Sequence, residues 1–298
     1  MKTAIDEAAI EAIVRAVRAR LEQSVSENTV TNAVADASCG GETGHACTAD
    51  PRPLHAIDNP VYEAMLPRLV ALTSSQIAVG RCGARFRTDL YIRTREGHAD
   101  ARDAVHSEVD EQWPRAHQLL SLKTRCRDRH EYLLYPNLGR RLDDDSVAAL
   151  QSSRVSAPDV QLIVGDGLSP NAITINGSQT LEALREALAS AGLRTGPGLY
   201  VKFARIGVAD QIGVMVGARA TVMLVGERPG LGTGDSLSLY LAINPKLDQD
   251  NAEKNCISNV RPIGIAPHEA AAQTVTILQR GFERGVGGVA LGVGWGRQ

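Results

Sequence analysis

The chain has 298 residues, with 32 Lys and Arg against 34 Asp and Glu, a formal net charge of −2, and 43% hydrophobic residues. That length is enough to bury a substantial core, as one large domain or as one large and one small. The near balance of charge gives no whole-chain attraction for nucleic acid or an anionic membrane surface, so neither is expected as a partner.

In chain order, the opening MKTAIDEAAIEAIVRAVRARLEQ sets Ile10, Ile13, Val14, Val17 and Leu21 at helical spacing. An amphipathic helix is predicted over 5–22, and residues 1–22 are read as a docking or targeting helix. Its early acids and broken apolar pattern match neither a secretory leader nor a membrane span, which points to a cytoplasmic protein. From Ser24 to about Pro60 small and polar residues dominate, so burial cannot offset the cost of ordering; residues 23–60 are read as a flexible linker. The five cysteines, Cys39, Cys47, Cys82, Cys126 and Cys256, include no CxxC pair, so neither a disulfide framework nor a structural zinc site is expected. Cys39 and Cys47, which flank His45, read as free thiols.

Residues 61–157 carry many charges and short helical patterns at Tyr62–Leu72, Asp100–Val109, Gln112–Leu120 and Asp143–Gln151. They are read as a smaller, mainly helical domain, and NLGRRLDDD (137–145) as a solvated helix start. The second half changes character. VQLIVG (160–165), LYVKFARI (199–206) and ATVMLVG (220–226) are β-rich runs separated by helical patterns at Ser178–Ala191 and Val208–Gly217. Near-continuous apolar strands alternating with helices predict an α/β domain over 158–283, a Rossmann-like, mostly parallel sheet with helices on both faces. Ligands of such sheets bind beyond the carboxyl ends of the strands. That singles out GDGLS (165–169) and GERPGLGTGDS (226–236). A helix from Pro267 to about Arg280 follows, and the tail after it, read as a separate segment over 284–298, looks too rich in glycine for regular structure.

Familiar motifs fail on these loops. Pro170 replaces the third glycine of GxGxxG, Asp235 follows the three glycines at 230, 232 and 234, and no GK[ST] or GxSxG occurs. In DRHEYL (128–133) the DxHxxG pattern that offers a histidine to cobalt lacks its glycine, and it reads as coincidence. His268, in PHEAA, reads as a helix-start residue. Asp166 and Ser169 are read as caps of the following helix.

Beyond these motifs, QLIVGDGLSPNAI, YVKFARIGVADQIG, VMLVGERPGLGTGDSLSLY and NCISNVRPIGIAPHEAA occur in this order, together with GRCGARFRT (80–88), RDAV (102–105) and NLGRRL (137–142). This series resembles the light (small) subunit of ethanolamine ammonia-lyase over about residues 60–280. The resemblance implies adenosylcobalamin as cofactor, conversion of ethanolamine to acetaldehyde and ammonia, and a heavy subunit that carries the catalytic residues. It places no catalytic or metal-ligating residue on this chain. It further implies that residues 1–22 contact the shell or cargo of a bacterial microcompartment; the missing DxHxxG, apart from the resemblance, favours a cobalt that keeps its own base.

The resemblance implies cofactor contacts at Ile206, Glu227 and Cys256. Ile206 stands where valine is usual, and Ala204 replaces the glycine before Arg205. Glu227 suits the primary amides that rim a corrin, because a charged acceptor makes the stronger hydrogen bond. The glycines after it are expected to let main chain approach the flat ring. Each residue also has a plainer reading: an ion pair of Glu227 with Arg228 or Arg205, and core packing for Cys256 and Ile206. The rival functions are a stand-alone α/β nucleotide-binding protein and a compartment scaffold.

Overall fold

The computed structural model describes residues 57–72, 77–153, 157–231 and 234–292. The helix predicted over 5–22 and most of the linker lie outside the described residues. Among the described residues no helix is long and apolar enough to cross a membrane.

The centre is a six-stranded sheet, taken here in chain order: β3 (Leu120–Lys123), β4 (Val160–Gly165), β5 (Leu199–Lys202), β6 (Ala220–Gly226), β7 (Leu237–Ile243) and β8 (Lys254–Val260). A separate two-stranded hairpin, β1 (Arg81–Cys82) and β2 (Arg85–Phe86), precedes it. The spatial order is β3-β5-β4-β6-β7-β8. The pairs from β3 to β6 are parallel, and β7 and β8 extend the sheet antiparallel.

Every residue of β4 and β6 is buried, as a strand covered on both faces requires. On one face Leu162, Val164, Val222 and Leu224 pack against α6 (Ser178–Ser190) and α8 (Pro267–Arg284). On the other Ile163, Met223 and Val225 pack against α7 (Val208–Val216) and α5 (Asp144–Ser152). The predicted α/β architecture, mostly parallel and helix-covered on both faces, is what the structure has.

The segment before β4 holds α1 (Leu66–Ala71), α2 (Thr88–His106), α3 (Gln112–Ala116), α4 (Arg129–Leu134) and α5. It also supplies β3, the edge strand of the same sheet, and residues 54–298 cluster as one unit. The pattern read as helix through Leu120 ends at Ala116, because Gln118 turns at φ +56 and Leu120 and Leu122 then pack into one cluster on either side of the exposed Ser121. At NLGRRLDDD the Asp143 carboxylate accepts from the Ser146 N–H at 2.8 Å, a helix start as read.

β7 and β8 are among the elements with no counterpart in the sequence reading. In β7 Leu237, Leu239, Leu241 and Ile243 alternate into the core, the period-2 pattern of a strand. In β8 Ile257 and Val260 also enter the core, three residues apart because the register with β7 shifts between their partners Leu239 and Leu237. The tail also differs: α8 runs to Arg284, and a 3₁₀ turn at Gly288–Leu291 follows. A Cβ on Gly288 would lie 2.0 Å from the Ala252 carbonyl oxygen, so glycine there serves close packing against main chain. Residues 293–298 lie outside the described residues.

Leu239 is fully buried and Leu247 is 55% exposed. Urea unfolding of Leu239→Ala is expected to lose about 2–5 kcal/mol, and Leu247→Ala to stay within about 0.5 kcal/mol of the parent. Equal midpoints for the two variants would contradict this core.

Candidate functional site

The carboxyl ends of β4, β5 and β6 converge, and their connections are fixed by contacts that leave no room for other residues. A Cβ on Gly226 would sit 2.0 Å from the Ser169 carbonyl oxygen, and one on Gly167 (φ +61) would sit 2.4 Å from that of Gly226. The Leu168 N–H donates to the Gly226 carbonyl at 3.1 Å, so the two loops stand back to back.

Asp166 lies beneath them as a brace. Its Oδ1 accepts from the Ala204 N–H at 2.9 Å, and its Oδ2 lies 3.4 Å from Arg129 Nη1. Burial pushes its pKa up, opposed by Arg129 and by backbone N–H donors. The Ser169 hydroxyl donates to the Gly234 carbonyl at 2.6 Å. Neither residue caps the following helix, which corrects the sequence reading: the first turn there, Pro170–Ala172, has no side-chain cap, and a π-helical turn at Ile173–Gly177 leads into α6.

These ends open on a cleft of about 690 Å³. Leu168, Val225 and Ile206 line it, as does the other face of β7 and β8 through Ser238 and Tyr240 beside Cys256 and Ser258. Tyr240 and Cys256 are register partners. The alternation that sends the leucines of β7 into the core sends Ser238 and Tyr240 here.

All three residues singled out above line this cleft. Ile206 is half-buried in the β5–α7 connection, since β5 ends at Lys202 and Phe203 turns at φ +59. Glu227 follows β6 directly. Its Oε2 accepts from the Ser236 hydroxyl at 2.6 Å, and its Oε1 accepts from the Ser238 hydroxyl and from the Asn259 N–H, the latter at 3.1 Å. Hydroxyls and an amide hold this carboxylate, in place of the ion pair with Arg205 or Arg228. Cys256 is exposed and so is not a core residue. The cleft wall nonetheless desolvates its thiol and raises its pKa; Tyr240 and Ser238 pull it down, and the charge of Glu227 adds to the rise. Burial pushes the Tyr240 phenol up to about 12, so both neighbours present neutral polar groups at neutral pH.

The bare main chain of the cleft belongs to Gly167, Gly207 and Gly226. Gly230 and Gly234 do not line it: Leu231 packs on Gly97, and a Cβ on Gly234 would lie 3.3 Å from that of Ala104, both on α2. The expectation that these glycines bare the chain to a ligand is therefore corrected. His130 is exposed on α4, and Asp128 caps that helix by accepting from the Glu131 N–H at 2.8 Å. His268 is an exposed helix-start residue, as read.

Sequence reasoning missed the Lys254–Asp210 pair on the cleft wall, 2.8 Å apart and almost wholly buried. It also missed Ser236, Ser238 and Asn259 as holders of Glu227. A signal existed only for Ser238, through the alternation of β7.

A family model for the ethanolamine ammonia-lyase light chain (EutC) matches residues 63–292. The chain belongs to the ethanolamine ammonia-lyase light-chain family. The match extends past the 60–280 region of the resemblance, through the 3₁₀ turn at Gly288–Leu291, so that part of the tail falls within the family's pattern. A light chain of this family is one subunit of a lyase and implies a heavy subunit.

Alkylation of Cys256 by iodoacetamide in the isolated light chain is expected to reach half its limiting rate above pH ~8.5, the ordinary thiol midpoint. A midpoint below that value would contradict the desolvated environment described.

Proposed function

We propose that this light chain supplies one wall of the adenosylcobalamin site of an ethanolamine ammonia-lyase, the heavy subunit supplying the other. The observation that carries this reading is the meeting of Ile206, Glu227 and Cys256, from three separate elements, in one cleft at the carboxyl ends of the sheet.

The donors and acceptors present suit a corrinoid. An ionised carboxylate offers about four acceptor positions, and three donors engage Glu227, which leaves it able to accept from a primary amide. Leu168, Val225 and Ile206 offer apolar contact to the ring, and Gly207 and Gly226 let it approach main chain. A cleft of about 690 Å³ is of the size that encloses a drug-sized ligand, and a corrin with its arms is larger. Two walls from two subunits answer that mismatch.

The bound cofactor would supply the radical chemistry that turns ethanolamine into acetaldehyde and ammonia, beside substrate-binding residues on the heavy subunit. The light chain's part is orientation and exclusion of water. Glu227 fixes an amide at one edge of the ring. Ile206 fills the apolar floor, and the protonated Cys256 thiol, beside Tyr240, is a soft neutral contact that adds no charge. Residues 1–22 would serve to package the enzyme in a microcompartment.

Mixing the chain with its heavy subunit and adenosylcobalamin is expected to yield acetaldehyde from ethanolamine. No activity with a competent heavy subunit would overturn the proposal. In the same pair Glu227→Ala is expected to weaken cofactor binding by about tenfold, the worth of one hydrogen bond to a charged group. Unchanged affinity would remove Glu227 from the site.

A further inference from the structure

Three arginines line the cleft, and no carboxylate answers them. Among the described residues Arg140, Arg205 and Arg228 make no ion pair, whereas Arg87, Arg127, Arg129, Arg141, Arg194, Arg219 and Arg261 all do. The acids that line the cleft are already engaged. Asp210 is held by Lys254, and Asp248 by Arg141 at 2.6 Å through both oxygens; Glu227 is held by two hydroxyls and an amide.

Arg140 and Arg205 are brought together by reciprocal packing on glycine. A Cβ on Gly139 would lie 2.7 Å from Arg205 Cγ, and one on Gly207 would lie 3.1 Å from Arg140 Cγ. The Arg205 N–H donates to the Gly139 carbonyl at 2.8 Å, which clamps the two segments. Arg205 is further fixed by stacking: its guanidinium carbon lies 4.3 Å from the Tyr132 ring centroid, and its Nη2 donates to the Tyr132 carbonyl at 2.9 Å. Its Nε is buried without a partner. Gly207 opens α7, a nine-residue helix with no side-chain cap, so its positive end lies at the same place. Two cleft-lining arginines with stems set by this packing and no carboxylate to answer them are a site for an anion with several oxygens.

We propose that Arg140 and Arg205, joined by Arg228 from the β6–β7 connection, form an anion subsite for a phosphodiester. On the corrinoid reading above, on which this rests, that group is the phosphodiester of the cofactor's nucleotide arm. Within the one cleft Glu227 then faces amide donors, and the arginines face the phosphodiester.

The test uses the assembled pair and equilibrium titration followed by visible absorption, with three probes. These are adenosylcobalamin, adenosylcobinamide phosphate, which keeps the phosphate without the base, and adenosylcobinamide, which lacks both. Arg140→Gln and Arg228→Gln alter exposed residues and carry the test, because Arg205→Gln also removes the stack on Tyr132. Each variant is expected to weaken the two phosphate-bearing probes by about tenfold and to leave adenosylcobinamide within about twofold. Equal effects on all three probes, or none, would overturn the subsite. So would a variant that fails to join the heavy subunit, since the arginines would then answer to carboxylates of that partner. Corrinoids that bind the wild-type pair but show no phosphate-dependent effect sink the subsite alone; a wild-type pair that binds no corrinoid sinks the cofactor reading with it.

Discussion

The carboxylate of Glu227 ties three strand ends together. It leaves β6 and accepts from Ser236 and Ser238 at the start of β7, and from the Asn259 N–H near the end of β8, while its own N–H donates to the Ser236 carbonyl at 3.0 Å. These are charge-assisted bonds, shorter and stronger than neutral ones. They hold the antiparallel extension against the parallel part of the sheet at the place where the strand ends open into the cleft. A negative charge so placed also decides which ligand group comes near it: an amide donor is welcome, and a phosphate is not.

Ion pairs around the cleft work to the same end. Asp166 with Arg129 holds the turn at Phe203 and Ala204, and so the connection that carries Arg205 and Ile206. Lys254 with Asp210 joins the start of β8 to the first turn of α7. Arg261 with Asp235, 3.2 Å apart, joins the end of β8 to the loop before β7. Each charge gives up hydration, so such pairs add little net stability, yet removing one partner leaves the other stranded in low dielectric. Their consequence is geometric: loops from four strands keep one arrangement around the cleft.

The sequence discloses the layers of this fold better than the site's supports. β4 and β6 are legible because a strand buried on both faces is apolar throughout, and α7 because its apolar residues recur at helical spacing. β3 is hidden by its four-residue length next to a helix, and the run to residue 206 conceals the turn at Phe203, where a non-glycine residue takes positive φ. Glu227 stands out by its place at a glycine-rich turn. Its partners do not, because Asn259 is 32 residues away and reaches it only once β7 and β8 have paired. Arg140 and Arg205 are likewise joined by packing over Gly139 and Gly207, a contact across more than 60 residues that no local pattern encodes.

The most direct measurement is hydrogen exchange of the light chain within the assembled pair, with and without adenosylcobalamin. Cofactor is expected to slow exchange of amides at 204–208, 226–228 and 254–258, the segments that meet at the cleft. Protection confined to the heavy subunit, with these segments exchanging as before, would contradict a cofactor wall on this chain.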